Sequence, residues 1–386
     1  MNHSPFRSVS AIFAPGDSTG ATDLDLQVKS ERPWQVFAGY ANSGTPSDGL
    51  DRWILGGEVG DLVTPGSLLS FQMTTSDDFW DVSGAPFGDA ANPQYVSYSL
   101  ATALPLAPRQ DLTVNADYID STTTSAAFQI RSHTEEVSAI YRTALSNVAQ
   151  IPGDASFGIE VRGQQNDTYF GQARVAQTGA DVAQLVLGWS DAWSDSRTRQ
   201  SFSLNLRYSP GGLLSGNDNR DFLATSNGRA GDANYVYADL DYSGDYRIVD
   251  GWRYVTTLHA QFADQPLIST EQMSIGGDPG VRVYVYDDRS FDSGAVWRNE
   301  LRTPLLPLLT GSSLATVASP YLFADAGYGQ DLGDGLRQWA ESAGAGSDWR
   351  IGKHLSGGLA GGWALEKAAY THAGGFQLLA NVRFTY

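Results

Sequence analysis

The sequence predicts an all-β fold, a transmembrane antiparallel β-barrel of about 16 strands that occupies residues 34–386. Three observations lead to this prediction. Apolar and polar residues alternate with period two from near Trp34 to the last residue, in segments of about 10 residues, the length of a tilted strand that crosses hydrocarbon. Aromatic residues stand at the ends of these segments, and tight turns alternate with longer polar loops.

The alternation gives each segment one apolar and one polar face, because successive side chains of a strand point to opposite sides of the sheet. In the segment 111–118, for example, Leu112 and Val114 share the apolar face, whereas Asn115 and Asp117 share the polar face. A soluble β-sandwich would alternate in the same way, so the segment length and the aromatic residues favour the membrane barrel. The aromatic residues at segment ends include Trp34, Tyr40, Trp53, Tyr118, Trp189, Tyr208, Tyr242 and Trp252.

The predicted sheet must close on itself, because an open sheet edge in lipid would leave backbone groups unpaired. The segment from Phe128 to Leu145 is the least regular, since its alternation changes phase around residues 134–136. We expect the strands to start near Trp34, Arg52, Leu68, Tyr95, Leu112, Phe128, Phe157, Val182, Phe202, Tyr235, Trp252, Gly294, Tyr321, Leu336, Leu355 and Phe376.

Connectors of two lengths separate these segments. Short turns on one side of the membrane and longer loops on the other are typical of membrane barrels. The tight connectors include Val63–Ser67, Ala107–Gln110, Ser146–Asp154 and Ile248–Gly251, and the longer ones include Phe79–Pro93, Gly211–Asp232 and Asp264–Ser290.

Composition excludes several classes of protein. The chain has no Cys, which rules out disulfides and thiolate metal sites, and its net charge of −18 disfavours nucleic-acid binding. We expect no metal site, because the five His residues lack ligand spacing, and we expect the acidic pair at 287–288 to be solvated loop charge. The segment Met1–Phe13 lacks the pattern of a signal peptide, so we interpret the chain as a mature or truncated product.

The last segment ends the chain on an aromatic residue. From Phe376 onward, apolar residues alternate to the terminal Tyr386 and include Val382 and Phe384. This pattern resembles the C-terminal signal that the assembly machinery of outer-membrane proteins reads. The alternative is the ordinary terminal strand of a soluble β-protein.

Several stretches together resemble one family, the two-partner secretion transporters of the TpsB type. These form the haemolysin and filamentous-haemagglutinin exporter branch of the Omp85 superfamily. Residues 2–7, 15–16 and 20–24 look like the end of the second POTRA domain of that family. Tyr40–Gly44 resembles its first barrel strand and turn, Glu271–Arg282 its sixth extracellular loop, Gly294 and Arg298–Leu301 the next strand, and Phe323–Gly327 its F-x-D-x-G motif.

The resemblance implies that loop six folds back into the lumen, where Arg282 pairs with acidic groups on the barrel wall. The alternation places Asp325 and Glu300 on inward phases, and a guanidinium suits bidentate pairing with a carboxylate. Val283 stands where the family usually has Gly, which removes backbone freedom. The alternative is a solvated Arg in a flexible loop. The predicted site comprises the loop-six residues Gly276, Gly277, Val281, Arg282 and Tyr284, the wall residues Asp325, Glu300, Phe323 and Gly327, and the C-terminal residues Val382, Phe384 and Tyr386.

The resemblance further implies a translocation pore in the outer membrane of a Gram-negative bacterium. Such a pore exports one large unfolded partner protein of the adhesin or haemolysin type. The partners would then be outer-membrane lipid, the exported protein and, during biogenesis, the barrel assembly machinery, with no nucleic acid and no cofactor. We expect a monomer whose lumen is lined by inward-facing polar side chains, among them Asn115, Asp117, Arg207, Asp239, Asp241, Arg298 and Arg383.

Three points remain open at this stage. No set of nucleophile, base and orienting residue stands out, so we expect no enzymatic activity. The family's POTRA domains and plug helix have no counterpart in this sequence, so residues 1–33 are interpreted as a remnant of the POTRA-to-barrel connection. The alternative functions are a passive porin-like channel and an Omp85-type factor that assembles other outer-membrane proteins.

Overall fold

The computed structural model describes residues 6–15, 18, 22–80, 93–125, 127–277, 279–308 and 316–386. It confirms the predicted fold class, because sixteen long antiparallel strands form one closed barrel in which the last strand pairs with the first. Parts of two predicted features lie outside the described residues, namely most of the loop predicted at Phe79–Pro93 and, within the family-like stretches, residues 2–5, 16, 20–21 and 278.

The barrel strands are numbered β1 to β16 in chain order. Each pairs with its neighbours along the chain, and a two-residue strand at Leu306–Pro307 also pairs with β13. The strands span Trp34–Ala41, Arg52–Gly60, Leu68–Thr75, Tyr95–Ala107, Gln110–Ser125, Phe128–Ala144, Asp154–Phe170, Ala173–Ser194, Thr198–Pro210, Asn234–Arg247, Arg253–Ala263, Ser293–Arg302, Thr316–Gln330, Arg337–Ile351, Leu355–Ala364 and Phe376–Thr385.

Apolar side chains face outward and polar ones face the lumen, as the alternation predicts. On β7, Phe157 and Ile159 are exposed on the outer surface, where lipid replaces water as the contact. Farther along the same strand, Glu160 and Arg162 face inward and bind other lumenal residues. No helix in the described part of the chain is both long and apolar enough to cross a membrane.

Strands β5 to β8 are longer than a membrane crossing requires. They contain 16, 17, 17 and 22 residues, against about 10 for a spanning strand. On β6, the outward face is apolar at Val137 but polar at His133. The register between β6 and β7 runs without a bulge through both positions. The irregularity near 134–136 is therefore no phase change; it marks where a continuous strand leaves the hydrocarbon.

The extension of these strands beyond the membrane also explains the largest error in a predicted strand start. The strand predicted to start near Val182 begins at Ala173, nine residues earlier. Residues 173–181 are mostly small or polar on both faces, so alternation does not reveal them. The predicted division of connectors into tight turns at one end of the barrel and longer loops at the other is also incomplete. The connector 171–172 at the long-loop end contains only two residues, because the projecting strands take the place of a loop.

A separate two-stranded hairpin precedes the barrel. Its strands, Arg7–Pro15 and Thr22–Ser30, pair in antiparallel register with Phe13 opposite Leu24 and Ala11 opposite Leu26. This pairing collects apolar side chains on one face, where Phe13, Leu24 and Leu26 are exposed. The hairpin therefore presents an apolar surface outside the barrel.

Loop six, residues 264–292, lies inside the barrel against strands β12 to β15. Its side chains Ile275, Val281 and Phe291 are fully buried. Small residues on the facing strands make room for them, since a Cβ at Gly329 would lie 2.2 Å from the Phe291 ring. The interior of the barrel thus contains a hydrophobic core formed by the loop and by one side of the wall.

Candidate functional site

The tip of loop six is a tight turn from Val281 to Tyr284. The Tyr284 N–H donates to the Val281 carbonyl at 3.4 Å, and the Gly277 N–H donates to the Tyr284 carbonyl at 2.8 Å. Gly276 forms a parallel bridge with Val281, and Gly277 has a φ of 75°. The two glycines are therefore required by the close return of the loop, since a Cβ at Gly276 would lie 2.3 Å from the carbonyl oxygen of Val285.

Val283 occupies the third position of this turn with a φ of 79°. A positive φ at that position is the signature of a type II turn and normally requires Gly. The structure keeps this backbone conformation although the residue is β-branched, which costs of order 1–3 kcal/mol. The Val283 side chain is buried in the lumenal core, and its packing there holds the turn in this conformation.

Arg282 projects from the turn to the barrel wall and meets two carboxylates. Its Nε and Nη2 donate to the two oxygens of Asp325 on β13, both at 2.7 Å, and its Nη1 donates to Glu300 on β12 at 2.6 Å. Arg282 is 4% exposed and the Asp325 side chain is fully buried. Charges this far from water need paired partners. We call this group of three residues the tip clasp.

The other predicted wall residues surround the tip clasp. The Arg282 guanidinium lies over the Phe323 ring, 4.1 Å from its centroid, a cation–π arrangement. Gly327 provides space, because a Cβ there would lie 2.7 Å from a methyl group of Val281. The Tyr284 hydroxyl donates to a backbone carbonyl of β14 or of the loop 365–375. The structure thus brings every predicted loop-six and wall residue into one contact region.

The tip clasp continues into a chain of charges toward the turn end of the barrel. Arg302 donates to Glu300 and to Asp348, both at 2.6 Å, so Glu300 lies between two guanidinium groups. Arg298 donates to the carbonyl of Pro279 in loop six at 3.3 Å. The wall facing the tip is therefore charged and hydrogen-bonded at these positions.

A second polar cluster holds the base of loop six and was not predicted from the sequence. Glu271 is 3% exposed and accepts hydrogen bonds from Arg162, from Gln184 at 3.1 Å and from Tyr237 at 2.8 Å. Arg162 also donates to Glu136 at 2.6 Å and to the Thr270 carbonyl at 2.6 Å. Glu271 stands in the family-like stretch, but nothing in its sequence neighbourhood indicates these partners, which come from distant strands.

Two buried aspartates tie the loops together at the long-loop end. Asp288 accepts from the backbone N–H groups of Tyr370 and Thr371 at 2.7 and 2.9 Å, which corrects the expectation of solvated charge at this position. Asp292 accepts from Arg229 at 2.9 Å and from the Leu332 N–H at 2.7 Å. Among the described residues no group of His, Cys, Asp and Glu suits a metal ion.

Asp331 and Asp334 extend this loop cluster toward solvent. Burial alone would favour the neutral acid at Asp331, but hydrogen bonds from Arg289 and from two backbone N–H groups hold the pKa of its carboxyl below the usual range. The Leu336 N–H and Arg289 likewise lower the pKa of Asp334. Both groups are therefore charged at neutral pH and bind the Arg289 guanidinium, at 3.0 and 2.6 Å.

A space of about 940 Å³ lies between loop six and the turn end of the barrel. Asp241, His259 and Arg298 line it, and His259 Nδ1 lies 2.7 Å from an Asp241 carboxylate oxygen. A further space of about 370 Å³ beside Glu271 is lined by Arg207 and Asp239. Of the remaining residues predicted to line the lumen, Asn115 binds Ser138 at 3.0 Å, Arg383 stacks on Phe37, and Asp117 pairs in register with Glu136.

The C-terminal residues form the seam that closes the barrel. Val382 and Phe384 lie opposite Tyr40 and Ala38 of β1. The Tyr386 backbone exchanges two hydrogen bonds with Val36, at 2.9 and 3.0 Å. The apolar side of this strand faces outward, and Phe384 and Tyr386 are exposed there.

Comparison with known proteins gives the family. The model of the haemolysin secretion/activation protein family ShlB/FhaC/HecB matches residues 20–351, which is most of the chain and includes both loop six and the tip clasp. The chain belongs to this family. The predicted resemblance is therefore confirmed, and members of the family are outer-membrane transporters.

Two relatives agree with this family. The chain is 23% identical to the outer membrane transporter CdiB-2 of Burkholderia pseudomallei (strain 1026b) over 313 residues, 78% of this chain and 50% of that protein. It is 29% identical to the outer membrane transporter CdiB of Dickeya dadantii (strain 3937) over 130 residues, 32% of this chain and 22% of that protein. The chain thus spans about half the length of the first of these relatives.

The solved structures support the fold of the family. CdiB from Escherichia coli matches 98% of this chain and 67% of its own length, with a TM-score of 0.76 at 16% identity. CdiB from Acinetobacter baumannii matches 99% and 66%, with a TM-score of 0.70 at 13% identity. BamA from Haemophilus ducreyi lacking POTRA domains 1–3 matches 100% and 76%, with a TM-score of 0.59 at 13% identity.

Fold and family together place the chain in the outer membrane of a Gram-negative bacterium, as predicted. The long-loop end of the barrel is then extracellular and the turn end periplasmic. The tip clasp lies inside this barrel, and the 940 Å³ space opens on its periplasmic side. The site is therefore a plugged lumen between two aqueous compartments.

Proposed function

We propose that the chain is the translocation pore of a two-partner secretion system, which exports one large adhesin- or haemolysin-type protein across the outer membrane. The observation that carries the proposal is the tip clasp. A buried Arg282 held by Asp325 and Glu300 fixes a long loop inside a barrel of the haemolysin-exporter family. A loop fixed by a small number of charged contacts is suited to be a gate, because breaking those contacts releases it as a unit.

The lining of the lumen suits an unfolded chain in transit. Arg207 faces Glu160 and Asp239, so both signs of charge lie side by side on the wall, and Asp241 faces the polar ring of His259. Such a surface stays hydrated and offers transient hydrogen bonds without deep apolar pockets that would trap a passing segment. It supports passage of an extended polypeptide better than binding of a small molecule.

We also propose that residues 1–33 are a remnant of the connection between a POTRA domain and the barrel. The hairpin formed by Arg7–Pro15 and Thr22–Ser30 carries an exposed apolar face, as a piece of a larger folded unit would. Recognition of the exported protein would then depend on the domain to which this hairpin belongs. The exposed apolar face of the hairpin supports this assignment of recognition to another domain. In the proposal, the hairpin itself does not bind the exported protein.

Biogenesis and activity complete the proposal. We infer that the barrel assembly machinery reads the terminal strand with Val382, Phe384 and Tyr386, that the barrel is a monomer in the lipid of the outer membrane, and that the chain is no enzyme. The outward apolar face of the terminal strand supports the first inference. The closed, complete barrel supports the second, since it needs no further subunit to satisfy its edges.

Deletion of the gene and restoration with the natural chain test the function. We expect one large protein to disappear from the culture medium on deletion and to return on restoration, with the porins unaffected. Accumulation of unassembled porins on depletion would instead identify an assembly factor. Slower uptake of small solutes with an unchanged set of secreted proteins would identify a passive channel.

A further inference from the structure

The base of loop six is fixed to the barrel wall by a carboxylate that the tip clasp does not involve. Glu271 belongs to the loop, and its side chain is fully buried. Its partners Arg162, Gln184 and Tyr237 belong to β7, β8 and β10. The tip clasp holds the loop to β12 and β13 instead. Loop six therefore spans the lumen between two separate parts of the wall.

Two of the three wall residues, Arg162 and Gln184, keep other carboxylate partners when Glu271 is absent. Arg162 also donates to Glu136 through Nε and Nη2, at 2.8 and 2.6 Å. Gln184 also donates to Glu160 at 2.9 Å. Because Glu136 remains with Arg162, departure of the loop leaves no isolated buried charge at this place on the barrel. If the contact between Glu271 and the wall served only to stabilise the barrel, the wall residues would not need these additional partners.

Glu271 itself has no comparable alternative partner among the residues that the structure describes. A buried carboxylate without donors is costly, so it stays with Arg162 until the base of the loop reaches water. Two adjacent contacts move with it, because the Thr270 carbonyl accepts from Arg162 at 2.6 Å and the Glu271 carbonyl accepts from Gln261 at 2.9 Å. The base of the loop therefore detaches as one unit or not at all.

We propose that Glu271 and Arg162 form a second anchor of loop six, and that full opening of the lumen requires release of this anchor as well as of the tip clasp. Glu271 is a positioning residue in this scheme, since it fixes the loop and contacts no exported chain. The inference rests on the proposed role of loop six as the gate. It adds that the gate is fixed at both ends, so that freeing Arg282 alone loosens only the tip.

Single-channel recording of the purified full chain in planar bilayers tests the second anchor with Glu271→Gln, Arg282→Ala and the double variant. In Glu271→Gln, an NH₂ group that donates hydrogen bonds replaces one carboxylate oxygen and faces the donors of the wall. The base of the loop is therefore held less strongly, and we expect the ratio of closed to open dwell times to fall about tenfold. The two anchors share no hydrogen-bond partner among the described residues, so the double variant should show the product of the two single effects. Asp111→Asn is the matched control, because Asp111 pairs with Arg142 on the wall at 2.8 Å away from the loop.

Four outcomes separate the inference from the proposed function. Multiplying effects of the two single variants support the second anchor. An Arg282→Ala effect with parent-like gating in Glu271→Gln overturns the second anchor and leaves the gate intact. Parent-like gating in both variants overturns the gate itself. If Glu271→Gln does not fold, Tyr237→Phe removes one donor to the same carboxylate without changing its charge, and parent-like gating there overturns the second anchor equally.

Discussion

The two carboxylates that hold Arg282 are not equivalent. Asp325 accepts two guanidinium hydrogen bonds in a bidentate arrangement, whereas Glu300 accepts one and is shared with Arg302. Asp325 is also the more deeply buried of the two side chains. The contribution of Asp325 to holding the loop should therefore be the larger.

Removing each carboxylate in turn tests this ranking. We expect Asp325→Ala to destabilise the seated loop by about 3–5 kcal/mol, the cost of breaking a buried ion pair, and Glu300→Ala by about 1.5–3 kcal/mol. The rate of proteolysis within loop six measures the difference, because it follows the population of the released loop. Equal rates in the two variants would contradict the ranking.

At Val283 we predict that replacement by Gly is less damaging than replacement by Ala, the reverse of the usual order. At an ordinary buried position, Val→Gly is more damaging than Val→Ala. Here the backbone has a φ of 79°, which a Gly adopts freely and an Ala does not. We expect Val283→Gly to leave the loop better seated than Val283→Ala by about 1 kcal/mol, by the same proteolysis measurement. A worse result for Val283→Gly would show that this backbone carries no strain.

The sequence predicted the tip clasp but not the second anchor, and the reason lies in the kind of signal available. Arg282, Asp325 and Glu300 follow from a family motif and from the phase of two strands. Glu271 meets side chains from three strands that are about 35 to 110 residues away along the chain. Phase places Arg162 in the lumen, but only the register of the closed barrel brings it to the loop.

Among the elements, the seam between β16 and β1 is the shortest part of the barrel wall. It pairs five residues of each strand, against nine between β15 and β16. Asn42 extends it beyond β1, since its side-chain oxygen accepts from the Ala380 N–H and its amide donates to the Leu378 carbonyl, both at 2.7 Å. The side chain thus takes the place of missing backbone pairing.

Loss of this side chain should weaken the seam. We expect Asn42→Ala to cost about 1–3 kcal/mol, two hydrogen bonds to backbone at ordinary strength. Amide hydrogen exchange of the terminal strand should quicken near Ala380 and stay unchanged on β5. Asn115→Ala, which removes a hydrogen bond to Ser138 within the wall, is the matched control. Unchanged exchange at Ala380 would mean that Asn42 does not support the seam.

The extracellular loop cluster should respond to acid. The pKa of Asp331 is below its usual range in the folded state, so its contribution to stability is present above the unfolded pKa of about 4 and is lost as the pH falls below it. Protonation frees Arg289 and loosens the loops. We expect the fluorescence anisotropy of a probe on a cysteine introduced at Arg220, in a chain without other cysteines, to fall in that range.

Asp331→Asn provides the comparison for this measurement. The variant lacks the titrating group, so its anisotropy should be low at neutral pH and should change less on acidification. The same pH profile in parent and variant would assign the response to other carboxylates. The experiment thereby isolates Asp331 from the neighbouring Asp334.

Among the secondary-structure elements, the sequence pattern predicted the strand segments that cross the membrane and missed the segments and loop contacts that lie outside it. Strand starts such as Trp34, Arg52, Leu68 and Phe128 coincide with the structure, because lipid on one side and water on the other enforce alternation there. The first nine residues of β8 escaped detection, because both of their faces meet water. Loop contacts such as that of Asp288 escaped for a similar reason, since no periodicity governs a loop.

At the scale of the whole molecule, the barrel combines a rigid wall with an interior that is mostly occupied. Loop six packs an apolar core against β12 to β15 and leaves open space on the opposite side and toward the periplasm. Closing a barrel satisfies every strand edge, so the wall does not need the loop for its own stability. Removal of loop contacts should therefore change passage through the pore without preventing insertion of the barrel.

The most direct test of the account compares secretion by the natural chain and by Arg282→Ala in cells that contain equal amounts of inserted barrel. The account predicts that the variant inserts normally, shown by its compact heat-sensitive form on gels, while the exported partner in the medium falls sharply. The physical reason is loss of the three guanidinium hydrogen bonds that seat the tip of loop six. Unchanged secretion at equal barrel levels would contradict the claim that this loop gates an export pore.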